Sequence, residues 1–290
     1  MDLVVGATGM VGKQIALGLH KAGRKVRAMV RGGATRAEAK DLVDAGLEVV
    51  DGDLTRPETL VAPCAGVETV ISGATSMPQG RDDGLRRVDL EGGLALIEAA
   101  ERAGVPRFIY VSFSWNLREP SPLETAKRSC ENRLLASRMT AVVLRPSYFM
   151  EVWLSPALGF DPPQGKARIY GSGEGKISYI SMRNVVDFAV ATTLKVERGP
   201  VALEMGGPDE LSQLEVVGIF EETLGKKFIL EHVPLEALRA QHASQDPVQK
   251  AYAALTIGYA RGDAIPEAHA NAERFGVKLH SVAEYARTFL

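Results

Sequence analysis

The sequence predicts an α/β fold, a doubly wound parallel sheet with helices on both faces, followed by a smaller C-terminal α+β lobe. Three observations lead there. Through the first half of the chain short apolar runs alternate with amphipathic stretches of helix length, the rhythm of parallel strands joined by crossover helices. The first apolar run passes straight into Gly6-Ala7-Thr8-Gly9-Met10-Val11-Gly12 and then a helix. After Arg145 the alternation loosens, and Pro156, Pro162 and Pro163 mark irregular chain across residues 155–175.

Taken in order, strands are predicted at residues 3–5, 25–30, 47–50, 69–72, 108–111 and 141–144. The first helix carries Val11, Ile15 and Leu19 on one stripe and stops at Gly23, as helical spacing and a glycine stop imply. Residues 36–45 read as a helix ending at Gly46, and Thr55-Arg56-Pro57-Glu58 reads as a capping box that opens a short one. A long helix spans residues 88–103 with Leu90, Leu94 and Ile97 inward, and another spans 127–137. Further on come a helix at 184–194, a strand at 201–205, a helix at 212–224 capped by Gly225, and a strand at 228–233. Mostly helical sequence continues to Leu290. Residues 1–150 are expected to form the main domain, with 176–205 returning to it, while 151–175 and 206–290 form a substrate-binding lobe.

Composition excludes several classes. With 46% hydrophobic and 24% charged residues in 290, the chain can bury a sizeable core without disulfides or metals. A net charge of −2 gives no electrostatic reason to bind nucleic acid or anionic lipid. Cys64 and Cys130 form no C-x-x-C pair and are expected to be reduced, as in the cytosol. No apolar run is long enough for a membrane span, and with a strand beginning at residue 2 no cleaved leader is expected. A cytoplasmic protein with a small-molecule substrate is expected, a homodimer being left open. His20, His232, His242, His269 and His280 are scattered, so no metal site is expected. No Gly-x-Ser-x-Gly elbow is present, which disfavours a serine hydrolase.

The glycine run carries the chemistry. Gly6 turns the chain sharply off its strand, Gly9 lets the backbone approach a pyrophosphate, and Gly12 lets the helix pack on the strand. Thr8, Met10 and Val11 complete a turn whose helix N-terminus offers unpaired N–H groups to phosphate. That pattern, strand before and helix after, is a Rossmann-type dinucleotide site. Ligand chemistry then belongs at the carboxyl ends of the strands. The second strand ends in Arg31-Gly32-Gly33 with no local carboxylate. A guanidinium there suits a 2′-phosphate, so NADP(H) is favoured over NAD(H). Arg36 is a second candidate. Asp53 accepts from an adenine amino group or serves as a turn residue, with Leu54 against the ring. Ser72, Gly73 and Ala74 are small enough to let the backbone pass a nicotinamide ribose.

Gly6 to Gly12, Arg31, Asp51-Gly52-Asp53-Leu54 and Val111-Ser112 together resemble the short-chain dehydrogenase/reductase superfamily. Lys127, within Ala126-Lys-Arg-Ser-Cys-Glu131, and Leu144-Arg-Pro-Ser-Tyr148-Phe-Met150 make the atypical NmrA-like branch the nearest match. This group includes isoflavone-reductase-like and quinone-reductase-like proteins. The resemblance implies that Lys127 binds the nicotinamide ribose and lowers the pKa of a proton donor. Typical members of the superfamily place a tyrosine four residues earlier, where this chain has Leu123, a departure that many NmrA-like relatives share. Ser112, Ser114 and Tyr148 are the candidates to replace it, or Lys127 acts directly once burial lowers its pKa. Phe113, Trp115, Phe149 and Trp153 are candidate apolar walls for substrate, or core. The implied activity is hydride transfer to a small conjugated carbonyl or quinone, which needs orientation more than acid catalysis. The alternative is a non-catalytic NADP(H) sensor of the NmrA type.

Overall fold

Strand β1 (Asp2–Val5) is buried along its whole length, as is its neighbour β4 (Thr69–Ser72), with β2 (Val26–Val30) and β3 (Glu48–Asp51) between them in sequence. Continuous burial of this kind needs cover on both faces, which crossover helices provide. The computed structural model describes residues 1–77, 83–195 and 200–290. Its main sheet also contains β5 (Arg107–Val111), β6 (Thr140–Pro146) and, after two short strands elsewhere, β9 (Val201–Met205). Among the described residues seven strands run in the order β3-β2-β1-β4-β5-β6-β9. Every neighbouring pair from β3 to β6 is parallel. The order reverses between β1 and β4, and folds of this kind take their ligands in the crevice at such a switch point.

Helix α1 (Met10–Lys21) buries Gly12, Ile15, Ala16 and Leu19, with Val11 half-buried. Residues 36–45 depart from expectation. Only α2 (Lys40–Asp44) is α-helical there, after 3-10 turns at Gly33–Thr35 and Ala37–Ala39. Leu42 is the one residue α2 buries, too little packing to sustain a longer helix. The expected capping box does not form either. The Thr55 hydroxyl donates to Asp53 instead, and the 3-10 turn Pro57–Thr59 that precedes α3 (Val61–Cys64) has no side-chain cap. The long helix begins as a π-helix, Leu85–Gly92, and continues as α4 (Gly93–Arg102). Helix α5 (Pro122–Leu135) starts ahead of the expected residue 127.

Residues 155–175 were expected to be irregular, yet they hold β7 (Phe160–Asp161) and β8 (Lys166–Tyr170), just after α6 (Met150–Trp153). The prolines and glycines around these strands mask them in the sequence, because they interrupt the alternation. After α7 (Met182–Leu194) comes α8 (Gln213–Leu224), opened by a Ser212–Glu215 capping box and closed by Gly225. Strand β10 (Ile229–Val233) pairs parallel with β8, and β7 pairs antiparallel with it. Helices α9 (Leu235–His242), α10 (Pro247–Arg261), α11 (Ala268–Phe275) and α12 (Val282–Ala286) complete the chain.

The chain divides into two compact units. The first comprises Met1–Ser112, Thr125–Leu144 and Val186–Leu203; the second comprises Phe113–Glu124, Arg145–Val185 and Glu204–Leu290. Of the stretch 176–205 expected to return to the main domain, residues 196–199 lie outside the described residues. Leu3, Val5, Leu96, Ile97, Phe108 and Val143 belong to the first unit's core. The second unit's core is aromatic, with Tyr148, Trp153, Phe160, Tyr179, Phe220 and Tyr259. Among the described residues no helix is long and apolar enough to cross a membrane.

Candidate functional site

At the end of β1 the backbone of Gly6 has φ +82°, which a side chain would strain. A Cβ at Gly6 would also meet Ala74 at 2.9 Å, and one at Gly12 would run into the Gly6 carbonyl. The three glycines therefore bring strand, turn and helix into direct backbone contact. Gly9 N–H donates to the Gly6 carbonyl at 2.9 Å, and Lys13 N–H donates to Gly9 at 3.0 Å. No side chain caps α1, so the amides of Met10, Val11 and Gly12 lack an intrahelical acceptor. Thr8, Gly9 and Met10 are exposed. Donors and the positive end of the helix dipole thus face open space at the switch point.

Arg31 follows β2 and is exposed. Arg36 is paired with Glu38 at 3.0 Å. The fold corrects one reading here. No carboxylate neighbours Arg31 in sequence, but Asp51 at the end of β3 accepts the Gly32 amide at 2.7 Å. Asp53 accepts from both the amide and the hydroxyl of Thr55, each at 2.9 Å, which is the geometry of a turn residue. Leu54 is buried in the first unit's core. Ser72 is buried and Gly73 and Ala74 are half-buried, with the Gly73 amide donating to the Val5 carbonyl at 3.2 Å.

Lys127 is 6% exposed, and its Nζ donates to the Val111 carbonyl at 3.2 Å. The ammonium also lies 5.0 Å from the centre of the Tyr110 ring. Burial lowers its pKa, opposed first by the charge of Asp89 and also by that of Glu131. Ser112 donates its hydroxyl to Glu131, which also accepts from Arg128 at 2.6 Å. The structure therefore brings Lys127 and Ser112 to the carboxyl end of β5 but engages the serine with a carboxylate.

The remaining candidates lie in the second unit. Tyr148 is 3% exposed and donates to the Leu255 carbonyl at 2.9 Å. Its ring meets Trp153 edge-on at 4.6 Å, and Trp153 stacks on Tyr259 at 4.4 Å. Burial raises the Tyr148 phenol far above its usual range. Tyr148 and Trp153 belong to the second unit's core, the packing alternative to their reading as proton donor and substrate wall: one is satisfied within the protein and both are enclosed. Trp115 is 41% exposed, with the Arg118 and Arg145 guanidiniums 4.9 and 4.6 Å from its ring centre. Phe149 is half-buried. Phe113 lines a small depression with Leu117, Ser121, Leu123 and Leu255. Ser114 donates to Asp263 at 2.7 Å.

Asp89 and Asp263 were given no part in the sequence, and Asp51 stood in its motif without a role. Asp89 left a signal. Leu85, Asp89, Gly92 and Leu96 fall on one inward stripe, and a carboxylate there is out of place unless it is partnered. Asp51 and Asp263 left none, since strand ends and loops commonly carry aspartate.

Residues 3–257 match the NmrA-like family. The chain belongs to that family. It is 30% identical over 244 residues to photosystem II assembly factor Ycf39 of Trieres chinensis, covering 82% of this chain and 73% of that protein. It is also 30% identical over 239 residues to an NAD(P)H azoreductase of Xenophilus azovorans, covering 81% of this chain and 78% of the other. Among solved structures, Citrobacter sp. triphenylmethane reductase complexed with NADP(H) superposes with a TM-score of 0.82 over 100% of both chains, at 20% identity. At that identity the likeness concerns the fold. Among the described residues no group of His, Cys, Asp and Glu is placed to hold a metal ion.

Proposed function

We propose that this NmrA-like chain binds NADP(H) and transfers hydride to a small conjugated carbonyl or quinone-like acceptor. The observation that carries the reading is the uncapped, exposed N-terminus of α1 behind the Gly6–Gly12 turn. A diphosphate answers both its bare donors and its dipole. The NADP(H) complex of the Citrobacter reductase, which shares the fold, supports the choice of cofactor.

When bound, the dinucleotide supplies the hydride; the protein supplies placement. Gly6, Thr8, Gly9, Met10, Val11 and Gly12 hold the diphosphate. Arg31 faces the 2′-phosphate, and Ser72, Gly73 and Ala74 leave room for the nicotinamide ribose. Lys127 hydrogen-bonds only Val111 among the described residues, so two of its three donors remain for ribose hydroxyls. Because burial lowers the pKa of Lys127, its Nζ can also release a proton nearer the working pH. Ser112 holds its proton toward Glu131 and Tyr148 toward Leu255, so neither is assigned the acid role. An acceptor whose reduced oxygen takes its proton from water suits such a site.

The test is NADPH oxidation against a panel of quinones and conjugated dyes. Turnover in wild type and its loss in Lys127→Ala, by about 100-fold, supports the reductase. Leu123, buried where typical members of the wider superfamily carry a tyrosine, and the likeness to an assembly factor favour a second reading, a non-catalytic NADP(H) sensor. Tight NADP(H) binding with no turnover on any acceptor would select that one. Equal NADPH and NADH affinities would reject the NADP(H) assignment. Asp51→Asn, which removes a negative charge beside the Gly32 amide, should tighten NADPH several-fold without affecting NADH.

A further inference from the structure

In the first unit one buried carboxylate is only half-satisfied. Asp89 is 3% exposed, and its Oδ2 accepts from the Ser76 amide at 2.9 Å and the Ser76 hydroxyl at 2.6 Å. Its Oδ1 has no hydrogen-bond partner among the described residues. A buried acceptor without a donor is costly, and native structures retain few.

Asp89 sits on the π-helix that leads into α4, and such insertions are frequent at functional sites. The Cys130 thiol donates to the Asp89 carbonyl at 3.4 Å. A Cβ on Gly93 would lie 2.6 Å from the Cys130 sulfur, and one on Gly92 would lie 2.6 Å from the Leu54 carbonyl oxygen. Close packing therefore fixes Asp89 from both sides.

Two features say what the carboxylate is near. The loop it grips through Ser76 includes Ala74, whose backbone abuts Gly6 in the phosphate turn. Lys127 shares its surroundings, Asp89 being the foremost charge opposing the lowering of the lysine pKa by burial. Glu131 acts in the same sense, and Arg128 in the opposite one. Lys127 precedes Cys130 by one turn on α5, and the Cys130 thiol reaches the Asp89 carbonyl, so an acceptor without a donor and an ammonium with donors to spare lie near one another beyond β4, the half of such a crevice opposite β2 and β3.

We propose that Asp89 is a positioning residue for the nicotinamide half of the site. One oxygen fastens the loop after β4 through Ser76, and the other accepts a hydrogen bond from a hydroxyl of the ligand's ribose. This rests on the dinucleotide binding proposed above. A hydroxyl there satisfies Oδ1 and leaves its own oxygen to accept from Lys127.

Asp89→Asn preserves the shape. Its amide oxygen keeps the two Ser76 bonds, and its NH2 replaces the free acceptor with a donor. Ser76→Ala does the reverse, loosening the loop while keeping Oδ1. Both are titrated by calorimetry with NADPH and with 2′,5′-ADP, which lacks the nicotinamide and its ribose. Asp89→Asn should bind NADPH about tenfold more weakly or worse, the loss of one charge-assisted bond, with 2′,5′-ADP affinity unchanged. Ser76→Ala should weaken NADPH about threefold and spare 2′,5′-ADP. Unchanged NADPH affinity in Asp89→Asn, or equal loss for both ligands, overturns the inference and leaves the dinucleotide reading standing. A folded wild type that binds neither ligand overturns both. Should Asp89→Asn fail to fold, an unchanged NADPH affinity in Ser76→Ala overturns the inference on its own.

Discussion

The region around the phosphate turn of the first unit and the aromatic core of the second treat their polar groups in opposite ways. In the second, the Tyr148 hydroxyl ends on Leu255 and those of Tyr179 and Tyr259 meet at 2.6 Å, with rings packed edge to face around them. In the first, the opening amides of α1 lack a cap and Asp89 keeps a bare oxygen. Satisfied polar groups among aromatic rings make a rigid core; unsatisfied ones held by close backbone packing make a place for a ligand. Tyr148 and Lys127 were both site candidates in sequence, and this difference separates them.

Trp153→Ala is the strongest way to break that contrast. Removing the ring that stacks on Tyr259 should cost about 3–5 kcal/mol of stability, read by chemical denaturation, while the folded fraction keeps its NADPH affinity. Gly12→Ala should do the opposite. Its Cβ forces α1 off the Gly6 carbonyl, and NADPH Kd should rise about 100-fold, equivalent to about 2.7 kcal/mol. If Trp153→Ala abolishes binding in folded protein, the aromatic cluster is part of the site.

Asp263 sharpens the contrast, because it is the second unit's own half-satisfied acid. Its Oδ1 accepts from Ser114 and Asn116, and its Oδ2 has no partner among the described residues. Burial raises its pKa, so between the ordinary aspartate value and the raised one the folded state holds a proton that the unfolded chain has lost. Its contribution is whole below that window and is lost as pH rises through the folded pKa. Wild-type stability should therefore fall with rising pH there, by up to about 1.4 kcal/mol per pH unit. Asp263→Asn should flatten that share, leaving the part due to Glu204, whose pKa burial also raises. Parallel pH profiles for the two proteins would remove Asp263 from the account.

The smallest effect belongs to Tyr148→Phe. Losing the bond to Leu255 should cost about 1 kcal/mol and leave turnover unchanged. A large fall in kcat with stability intact would restore the phenol as a proton donor.

Much of this was legible in the chain. Strands at residues 69–72 and 201–205 stand where the sequence put them: the first is buried throughout, as a strand covered on both faces is, and the second alternates in burial at the sheet edge. Helix α8 ends at Gly225, at φ +64°, where only a residue without a side chain is comfortable. Less was legible where short segments compete. The 36–45 stretch has helix-forming residues but little to pack on, and Thr55 bonded Asp53 rather than capping a helix, two local solutions close in energy.

The linear order of residues determined the parallel sheet, its phosphate turn and the lysine after β5, since each depends on neighbours a few positions apart. Tertiary structure alone decided which polar groups would be left over. Asp51 reached Gly32, Ser112 was taken by Glu131, and Asp89 kept an empty oxygen. Hydrogen bonding is a matter of distance in space, and partners up to 149 positions apart, such as Ser114 and Asp263, meet only when the chain is folded.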